Sequence, residues 1–509
     1  MLMKKFVLIA LLYLCGPTVD IAIAQTNSLK TFETELHQVS KNRSSDFVIS
    51  ADGKRLAYTI GEGAYDPEMG LSEGWPKHRL IVDGKAGKAY PRIFDLQFSA
   101  DSQRVGYLTD TLAVVDGKED QTFGPTAKLA DNQQIRELHS FQFSPDSKSY
   151  AYVTASANAD GPSFIVLNGK KQKPYAQVHG PLFSPDGKRF AYSARTSNPW
   201  KELLVLDGQE LPAVGHLIQD GNLKFSPDST QLSFQTHETE TKKSKLFLIK
   251  DGKQIAAWPG GDQARVFSPD SKHLAYAVQT GPQEKAMQVN GEAGKRYQAW
   301  GVSRAVYSPD SQRLAFIVRS FDPSQRKGQN FVVIDGKSDK PYYEISLQDP
   351  IFSADSKHIA YATYDGSSWF AVLDGVEGAH FKGVKDLQFN PANGQLAYIV
   401  TKADKLGDKQ CVNYRGENGK LYDQVTDITF SSDGSLMAYA ARNNKDKSWR
   451  IVVNGKEGPS FDFILAKGAM DEKTFKPLDQ SSLRFDHDNR LHFLAVRRGR
   501  LYMVETMVP

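Results

Sequence analysis

The sequence of 509 residues contains only two cysteines, Cys15 and Cys411. Cys15 lies in the apolar N-terminal stretch, so removal of that stretch would leave one thiol and exclude an intramolecular disulfide. Cys411 precedes an apolar alternation beginning at Val412 and has no histidine motif nearby, which predicts a buried structural thiol rather than a nucleophile. A disulfide framework is therefore not what stabilises this chain.

Long hydrophobic runs are equally scarce, and the one that stands out is N-terminal. Lys4 and Lys5 precede the apolar residues 6–14, and residues 22–24 form an A-x-A cleavage site. This order predicts a signal peptide over residues 1–24 and therefore export to the periplasm or the exterior. No later stretch approaches the roughly 20 apolar residues that a membrane span needs, so none is predicted in the mature chain.

An excess of either charge is also missing, because 63 basic residues nearly balance 59 acidic ones and the formal charge is +4. The short basic clusters at 242–245 and 497–500 lie at hairpins, where solvated turns are the ordinary interpretation. Binding to nucleic acid would need a denser basic stripe. The composition therefore predicts no nucleic-acid partner.

One sequence motif, of the type Phe-Ser-Pro-Asp-Ser/Gly-Lys-x-Leu-Ala-Tyr, is abundant and recurs about every 42 residues. Eleven copies begin at Ile49, Phe98, Phe143, Phe183, Phe225, Phe267, Tyr307, Phe352, Phe389, Phe430 and Phe485. A period in this range is typical of a β-propeller or a similar repeat array.

Each copy carries the chemistry of two hairpins. Residues 184–187, Ser-Pro-Asp-Gly, fit a type I turn, because proline fixes φ at the second position and the last position accepts glycine. A β-branched run then ends in Asp-Gly or Asn-Gly, as at Asp83 and Gly84, which favours a type I′ hairpin turn. Two hairpins per repeat predict an all-β fold of four-stranded blades.

With these two turns recurring in the same order, the chain from about Asp46 onward resembles the TolB-type, WD-like β-propeller repeats of bacterial envelope proteins. The resemblance covers the repeat class only. TolB carries an α/β domain ahead of its propeller, whereas the first repeat here begins about twenty residues after the predicted leader. The resemblance therefore implies a propeller in the bacterial envelope and does not transfer the role of that domain.

Eleven blades exceed the four to eight of typical propellers, which favours two tandem rings. We expect a first propeller of about five blades over residues 46–262 and a second of about six over 263–509. A division into four and seven, or a ring closed by strands from both chain ends, stays open.

Residues 25–45 form a short segment between leader and first repeat. Leu29, Phe32, Leu36 and Val39 recur there at helical spacing, which predicts an amphipathic helix. The last repeat ends with an unpaired strand edge that must be covered, and this N-terminal segment could supply the missing strand.

Local motifs of catalysis or metal binding are weak. Residues 70–74 match G-x-S-x-G, but they lie in a polar insertion without the buried strand and helix of a nucleophile elbow. Asp486, His487 and Asp488 occupy the place of a Ser-Pro-Asp turn, so a degenerate turn explains them. No other histidines are spaced in the sequence as the ligands of a metal site would be. The sequence therefore predicts no catalytic residue, no metal and no cofactor.

Departures from the repeat are where function is expected, since loops on a rigid scaffold usually carry binding residues. Insertions occur at 61–78, 119–137, 321–330 and 457–482. The first two supply the candidate ligand-binding residues Tyr65, Trp75, His78 and Phe123.

The sequence predicts an exported, non-catalytic and monomeric β-propeller that binds an envelope protein or polymer. The alternative is a hydrolase or lyase acting on a polysaccharide or peptide at a channel mouth. Such a site would combine residues from different blades and leave no local motif.

Overall fold

The computed structural model describes most of the chain after the predicted leader, and its regular structure there consists entirely of β-strands. The described residues are 29–38, 47–62, 77–109, 112–120, 140–155, 162–197, 199–212, 216–217, 223–237, 243–259, 265–322, 327–405, 407–467 and 481–507. Residues 1–24, the predicted leader, lie outside them. Within these ranges, eleven antiparallel sheets of blade type follow one another along the chain, as the repeat count predicts.

Blades 1 to 4 have four strands each, numbered from first to fourth in pairing order. Blade 1 comprises Phe47–Ile49, Leu56–Glu62, Lys77–Val82 and Lys85–Tyr90. Blade 2 comprises Ile93–Phe98, Val105–Thr109, Ala113–Val115 and Lys118–Asp120. Blade 3 comprises Gln142–Phe143, Tyr150–Ala155, Ser163–Leu167 and Lys170–Lys171. Blade 4 comprises Gln177–Phe183, Phe190–Ser197, Trp200–Leu206 and Gln209–Pro212.

In blades 5, 7 and 8 the first strand is split into two short pieces. Blade 5 comprises His216–Leu217 with Lys224–Phe225, Gln231–His237, Ser244–Lys250 and Lys253–Pro259. Blade 6 comprises Val266–Phe267, Leu274–Gly281, Glu284–Val289 and Glu292–Gln298. Blade 7 comprises Gly301–Val302 with Val306–Tyr307, Leu314–Arg319, Phe331–Ile334 and Lys337–Ser338, plus a side hairpin of Phe321–Asp322 and Lys327–Gly328. Blade 8 comprises Glu344–Ile345 with Ile351–Phe352, Ile359–Tyr364, Trp369–Leu373 and Val376–Glu377.

Blades 9 and 10 are regular, whereas blade 11 takes its fourth strand from the N-terminal end. Blade 9 comprises Gly383–Phe389, Leu396–Lys402, Lys409–Tyr414 and Glu417–Asn418. Blade 10 comprises Gln424–Phe430, Met437–Asn443, Ser448–Val453 and Lys456–Phe461. Blade 11 comprises Phe463–Ile464 with Arg484–Phe485, Leu491–Arg497, Arg500–Met507 and Lys30–Gln38.

The first strands surround the central axis. First strands of neighbouring blades pack against one another, as in blades 1 and 2 and in blades 9 and 10. Fourth strands are exposed over most of their residues, as in blades 1 and 6. The order from first to fourth strand therefore runs from the axis to the outer edge.

The Ser-Pro-Asp phrase forms a turn that its own side chains close. In blade 7, the Oγ of Ser308 donates to Oδ1 of Asp310 at 2.6 Å and accepts the backbone N–H of Arg313 at 2.9 Å. The N–H of Ser311 donates to the carbonyl of Ser308 at 2.9 Å, which completes the predicted reversal. The hydrogen bond from Ser308, and then that from the N–H of Gln312, lowers the pKa of Asp310. The repeated aspartate is thus a turn residue.

We expect Ser308→Ala to lower the free energy of unfolding by about 1 to 2 kcal/mol, because it leaves the N–H of Arg313 without its acceptor. Ser308 is 0% exposed, so water does not replace the lost hydroxyl. Urea denaturation measures the change, and Ser367→Ala, at an exposed serine that also donates to an aspartate, is the matched control. Equal losses in the two variants would contradict this account of the turn.

The same turn joins six of the blades to their successors. The N–H of Asp310 donates to Oγ of Ser356 in blade 8 at 2.9 Å. Equivalent bonds join Asp52 to Ser102, Asp101 to Ser147, Asp186 to Ser229, Asp228 to Ser271, and Asp270 to Ser311. Local turn chemistry therefore also fixes the spacing between blades.

The second predicted hairpin turn is present as well. Asp83 and Gly84 have φ angles of 50° and 77°, which a type I′ turn requires. The two carboxylate oxygens of Asp83 accept the N–H of Leu56 at 3.1 Å and Nε of Arg55 at 2.8 Å. This aspartate therefore connects the second strand to the turn between the third and fourth strands.

A tyrosine in the fourth strand or shortly after it links the outer edges of neighbouring blades. The hydroxyl of Tyr90 donates to Oε1 of Glu119 in blade 2 at 2.9 Å, and Lys88 pairs with the same carboxylate. The arrangement recurs in Lys173, Tyr175 and Glu210, in Lys340, Tyr342 and Glu377, and in Lys420, Tyr422 and Glu457.

Apolar clusters between the blades form one closed series, which corrects the predicted division at residue 262 into two rings. Among the described residues, each of the eleven clusters is shared by two successive blades. Leu248 packs with Tyr276 between blades 5 and 6. Leu494 packs with Leu56 between blades 11 and 1. The protein is an eleven-bladed β-propeller, and the open alternative of one ring closed by both chain ends is confirmed.

The described part of the N-terminal segment forms a strand over Lys30–Gln38, so the helix predicted there is wrong. Lys30–Gln38 pairs antiparallel with Arg500–Met507. Arg497 contacts Glu33 at 2.7 Å, and Arg500 contacts Glu35 at 2.8 Å. The edge of the last blade is covered in this way, as the sequence suggested.

Candidate functional site

The direction of the strands divides the ring into two faces. Because consecutive strands are antiparallel, the Ser-Pro-Asp and Asp-Gly turns lie on one side, here called the turn face. The connections from second to third strand and from one blade to the next lie on the other side, the insertion face. The described ends of insertions 61–78, 119–137 and 321–330 lie on the insertion face. Insertion 457–482 overlaps the part of the chain between Phe463–Ile464 and Arg484–Phe485, the two pieces of the first strand of blade 11.

The structure does not bring the four predicted ligand-binding residues together. Tyr65, Trp75 and Phe123 lie outside the described residues. His78 is half-buried in the third strand of blade 1, where its backbone pairs with Gly61 and Tyr90. The role of these loops therefore stays a prediction.

A different surface is exposed on blades 7 and 8. Trp300 and Tyr343 lie where the chain enters the first strands of these blades, and Leu347 lies between the two pieces of the first strand of blade 8. Their exposed fractions are 65% for Trp300, 47% for Tyr343 and 90% for Leu347. We call these three exposed apolar residues of blades 7 and 8 the platform.

Arg319 holds both sides of the platform. Its carbonyl accepts the N–H of Trp300 at 3.1 Å. Its guanidinium donates to the carbonyls of Ile345 at 3.2 Å and Ser346 at 3.3 Å. One side chain of blade 7 therefore fixes the backbone that presents Leu347 in blade 8.

Two further contacts fix the platform. The side-chain amide of Gln348 donates to the carbonyl of Leu387 in blade 9 at 3.1 Å and accepts its N–H at 3.2 Å. The ring of Tyr343 meets that of Tyr364 edge to face at 5.8 Å. A surface held in this way loses little conformational entropy on binding.

Sequence reasoning missed the platform, although one signal was present. The segment from Ile345 to Phe352 is two residues longer than the corresponding Val384 to Phe389 of blade 9. The extra length lets the strand bulge at Leu347. Comparing the spacing within each repeat, rather than only between repeats, would have found it.

Two acidic residues of the inner wall, Asp95 and Asp427, serve the scaffold. Asp95 accepts the N–H of Phe141 in blade 3 at 3.3 Å. Asp427 accepts the N–H of Lys467 at 2.9 Å and the hydroxyl of Ser481 at 2.5 Å, both in blade 11. Burial raises the pKa of Asp427 despite these hydrogen bonds. Both carboxylates thus join one blade to the next.

The cationic residues of the inner wall are arranged differently. Lys224, Arg265 and Arg304 come from the first strands of blades 5, 6 and 7 or from residues next to them. The ammonium of Lys224 donates to the carbonyl of Arg265 at 3.0 Å. Burial, and then the charges of Arg265 and Arg304, lower the pKa of Lys224. We call these three residues the basic wall.

Other candidate groups are explained by the scaffold. Asp486 accepts the N–H of Arg490 at 2.9 Å and lies 3.0 Å from Nε2 of His492, which confirms a degenerate turn. Cys411 is 0% exposed, and burial raises its thiol pKa, as predicted for a structural thiol.

The described residues contain neither a cluster of metal-ligating side chains nor a membrane-spanning helix. No three His, Cys, Asp or Glu side chains are grouped there as a metal site would need. That part of the chain also has no helix long and apolar enough to cross a membrane.

The chain has similarities to several solved structures. No family model and no curated protein matches it. The structure is similar to that of a eukaryotic initiation factor, with 14% identity, a TM-score of 0.40, and coverage of 72% of this chain and 95% of the other. It is also similar to the β-propeller domain of the Trilobed protease from Pyrococcus furiosus, with 15% identity, a TM-score of 0.30, and coverage of 56% and 94%. For TolB from Acinetobacter baumannii, the identity is 16%, the TM-score 0.23 and the coverage 54% and 82%.

Proposed function

We propose that this chain is an exported, non-catalytic binding scaffold of the bacterial envelope whose insertion face binds a partner protein. One observation carries the proposal: Trp300, Tyr343 and Leu347, three large apolar residues of the neighbouring blades 7 and 8, are exposed on that face. Export is supported by the leader pattern of residues 1–24, and an envelope location by the resemblance to TolB-type repeats.

The platform has the properties of a protein-binding surface. A leucine that is 90% exposed gains free energy when a partner covers it, since burial of an apolar side chain is favourable. Trp300 and Tyr343 belong to the residue types that dominate binding energy at interfaces. Because hydrogen bonds of Arg319 and Gln348 fix the backbone, the surface is formed before the partner arrives.

The hydrolase or lyase alternative stays a prediction. Two acidic side chains of the inner wall, Asp95 and Asp427, are engaged in hydrogen bonds to the next blade. The geometry therefore supports the scaffold better.

We expect the double variant Trp300→Ser and Leu347→Ser to lose the partner proteins that the mature chain retains after crosslinking in periplasmic extract. The reason is loss of the apolar area at the centre of the interface. Quantitative mass spectrometry of the captured proteins is the measurement.

The matched control is Val376→Ser, which removes a side chain that is 70% exposed on the turn face. It should leave the captured set unchanged. Capture of the same proteins by the double variant, or equal losses in both variants, would contradict the assignment of the insertion face.

A further inference from the structure

The fourth strands form the outer edges of the blades, and in ten blades the described edge is short or interrupted. It has four residues or fewer in blades 2, 3, 4, 7, 8 and 9. In blades 1, 5, 6 and 10 a shift of register breaks its pairing with the third strand. Short strands and bulges are devices by which an exposed edge avoids pairing with another chain.

The fourth strand of blade 11, here called the closing strand, has neither device over its first part. It comprises Lys30–Gln38, is the longest of the described fourth strands at nine residues, and contains no proline or glycine. Its pairing with the third strand is regular from Lys30 to Glu35, and the register shifts only after Glu35. No described strand pairs with its other edge. A regular edge of this length presents backbone N–H and C=O groups that a further strand can bind.

Apolar side chains are exposed along this edge. Phe32 of the closing strand is 44% exposed, and Met507 of the third strand is 37% exposed. Met507 lies opposite Lys30 in the register, so its side chain and that of Phe32 are on the same face of the sheet. A strand added at the edge would place its own side chains beside the ring of Phe32, and burial of this apolar surface is favourable.

The acidic residues of the opposite face are already paired. Glu33 contacts Arg497 at 2.7 Å, and Glu35 contacts Arg500 at 2.8 Å. Inward-pointing charges ordinarily protect an edge, because an added strand would cover them. Here the two arginines neutralise the glutamates, so this protection is weakened.

We propose that two copies of this chain dimerise by antiparallel pairing of their closing strands, with Phe32 opposite Phe32 at the two-fold axis. A two-fold interface is self-complementary, so in this pairing one residue of the strand lies opposite its own copy. The interface goes beyond the binding function of the platform and does not depend on it. The sequence predicted a monomer, whereas the open edge favours a dimer.

The pattern of charges selects the register. Centring the pair on Glu33 or Glu35 sets a glutamate opposite its copy, and centring it on Thr34 sets Glu33 opposite Glu35. Like charges directly opposite each other are destabilising, whereas aromatic pairs are stabilising. Centring on Phe32 avoids the first and provides the second, and it pairs more residues than centring on Thr31.

The pairing also sets the orientation of the two propellers. The contact joins them rim to rim, because the closing strand lies at the outer edge of its blade. Antiparallel strands run in opposite directions, so the second propeller is inverted relative to the first. The dimer therefore presents its two insertion faces, and with them its two platforms, on opposite sides.

Sedimentation velocity of the mature chain over a range of concentrations tests the proposal. We expect a monomer–dimer equilibrium, and Phe32→Lys should raise its dissociation constant by on the order of tenfold or more, because two lysines then lie opposite each other. Ile255→Lys is the matched control, since Ile255 is 53% exposed on the fourth strand of blade 5. It should leave the equilibrium unchanged. Both variants should keep the Tm of the mature chain, because both side chains are exposed.

Engineered cysteines test the register separately. Phe32→Cys should form a disulfide between two copies under mild oxidation, because Cβ atoms that lie directly opposite are about 5 Å apart. Thr34→Cys should not, since this register separates the two copies of Thr34 by about 13 Å along the strands. Cys411 does not compete, because it is 0% exposed.

A chain that stays monomeric at every concentration would overturn the proposal, as would dimers that persist unchanged in Phe32→Lys. Equal dissociation in Ile255→Lys, or crosslinking through Thr34→Cys but not through Phe32→Cys, would also overturn it, because the contact would then lie elsewhere. A monomer whose Phe32→Lys variant loses a captured periplasmic protein would overturn it too, since the edge would then bind a partner's strand.

Discussion

A mature chain that begins after Gln38 is expected to lose about 5 kcal/mol or more of its free energy of unfolding, and blade 11 should open. The deletion removes the fourth strand of that blade, which pairs along Arg500–Met507. It also removes Leu29, which is 2% exposed and packs with Trp449 and Phe461 in the core shared with blade 10. Urea denaturation gives the loss, and hydrogen exchange should locate it in blades 10, 11 and 1.

A synthetic peptide of residues 29–39 provides the control for this deletion. Added to the shortened chain, it should restore protection in blade 11, because strand pairing and the contacts of Glu33 and Glu35 can reform between separate chains. A peptide with Leu29→Asp should fail, since it places a charge in the apolar core. Unchanged stability of the shortened chain would show that the ring does not need its N-terminal strand.

The second large effect is expected from Gly106→Ala, which should cost about 3 kcal/mol through overpacking. A Cβ atom at this position would lie 2.2 Å from Cζ of Phe141 and 2.4 Å from Cε1 of the same ring. Phe141 is 1% exposed and also packs edge to face on Phe143, so its ring has no free space to enter. Urea denaturation of the variant measures the cost.

A second substitution should restore the stability that Gly106→Ala loses, and the neighbouring pair of blades shows which one. Ala57 with Leu96 occupies the corresponding positions between blades 1 and 2, so Phe141→Leu should relieve Gly106→Ala. A double-mutant cycle should give a favourable coupling of about 1 to 3 kcal/mol between the two changes. Additive losses would show that the two positions are not in contact.

Local chemistry explains which parts of the fold could be predicted. The turn at Ser308 and Asp310 and the positive φ of Asp83 depend on residues within a few positions of one another. The burial of Cys411 followed from its strand alternation. These features need no knowledge of distant residues, so their prediction was confirmed.

The closing strand was misread because its partner lies far along the chain. Leu29, Phe32 and Leu36 have helical spacing, yet Phe32 is 44% exposed and Glu33 points toward Arg497, 464 residues away. In the strand, Glu33 and Glu35 are stabilised by ion pairs with Arg497 and Arg500 of blade 11. Periodicity could not reveal this, because the ion pairs exist only after the ring closes.

The candidate site also depends on contacts between residues that are far apart in the sequence. The sequence predicted ligand-binding residues in the insertions that contain Trp75 and Phe123. The exposed platform instead lies on blades 7 and 8. The exposure of Leu347 depends on Arg319 and Gln348 holding its backbone. The basic wall forms only because three blades bring Lys224, Arg265 and Arg304 together.

The sequence by itself determined the blade: its four strands, its two turns and the number of its repeats. These depend on hydrogen bonds and φ preferences within about 40 residues, the length of one repeat. Only the tertiary structure decided that eleven blades close into one ring, which strand covers the last edge, and which face carries an exposed surface. Those outcomes depend on packing between blades and on contacts between the two chain ends, and no local pattern encodes them.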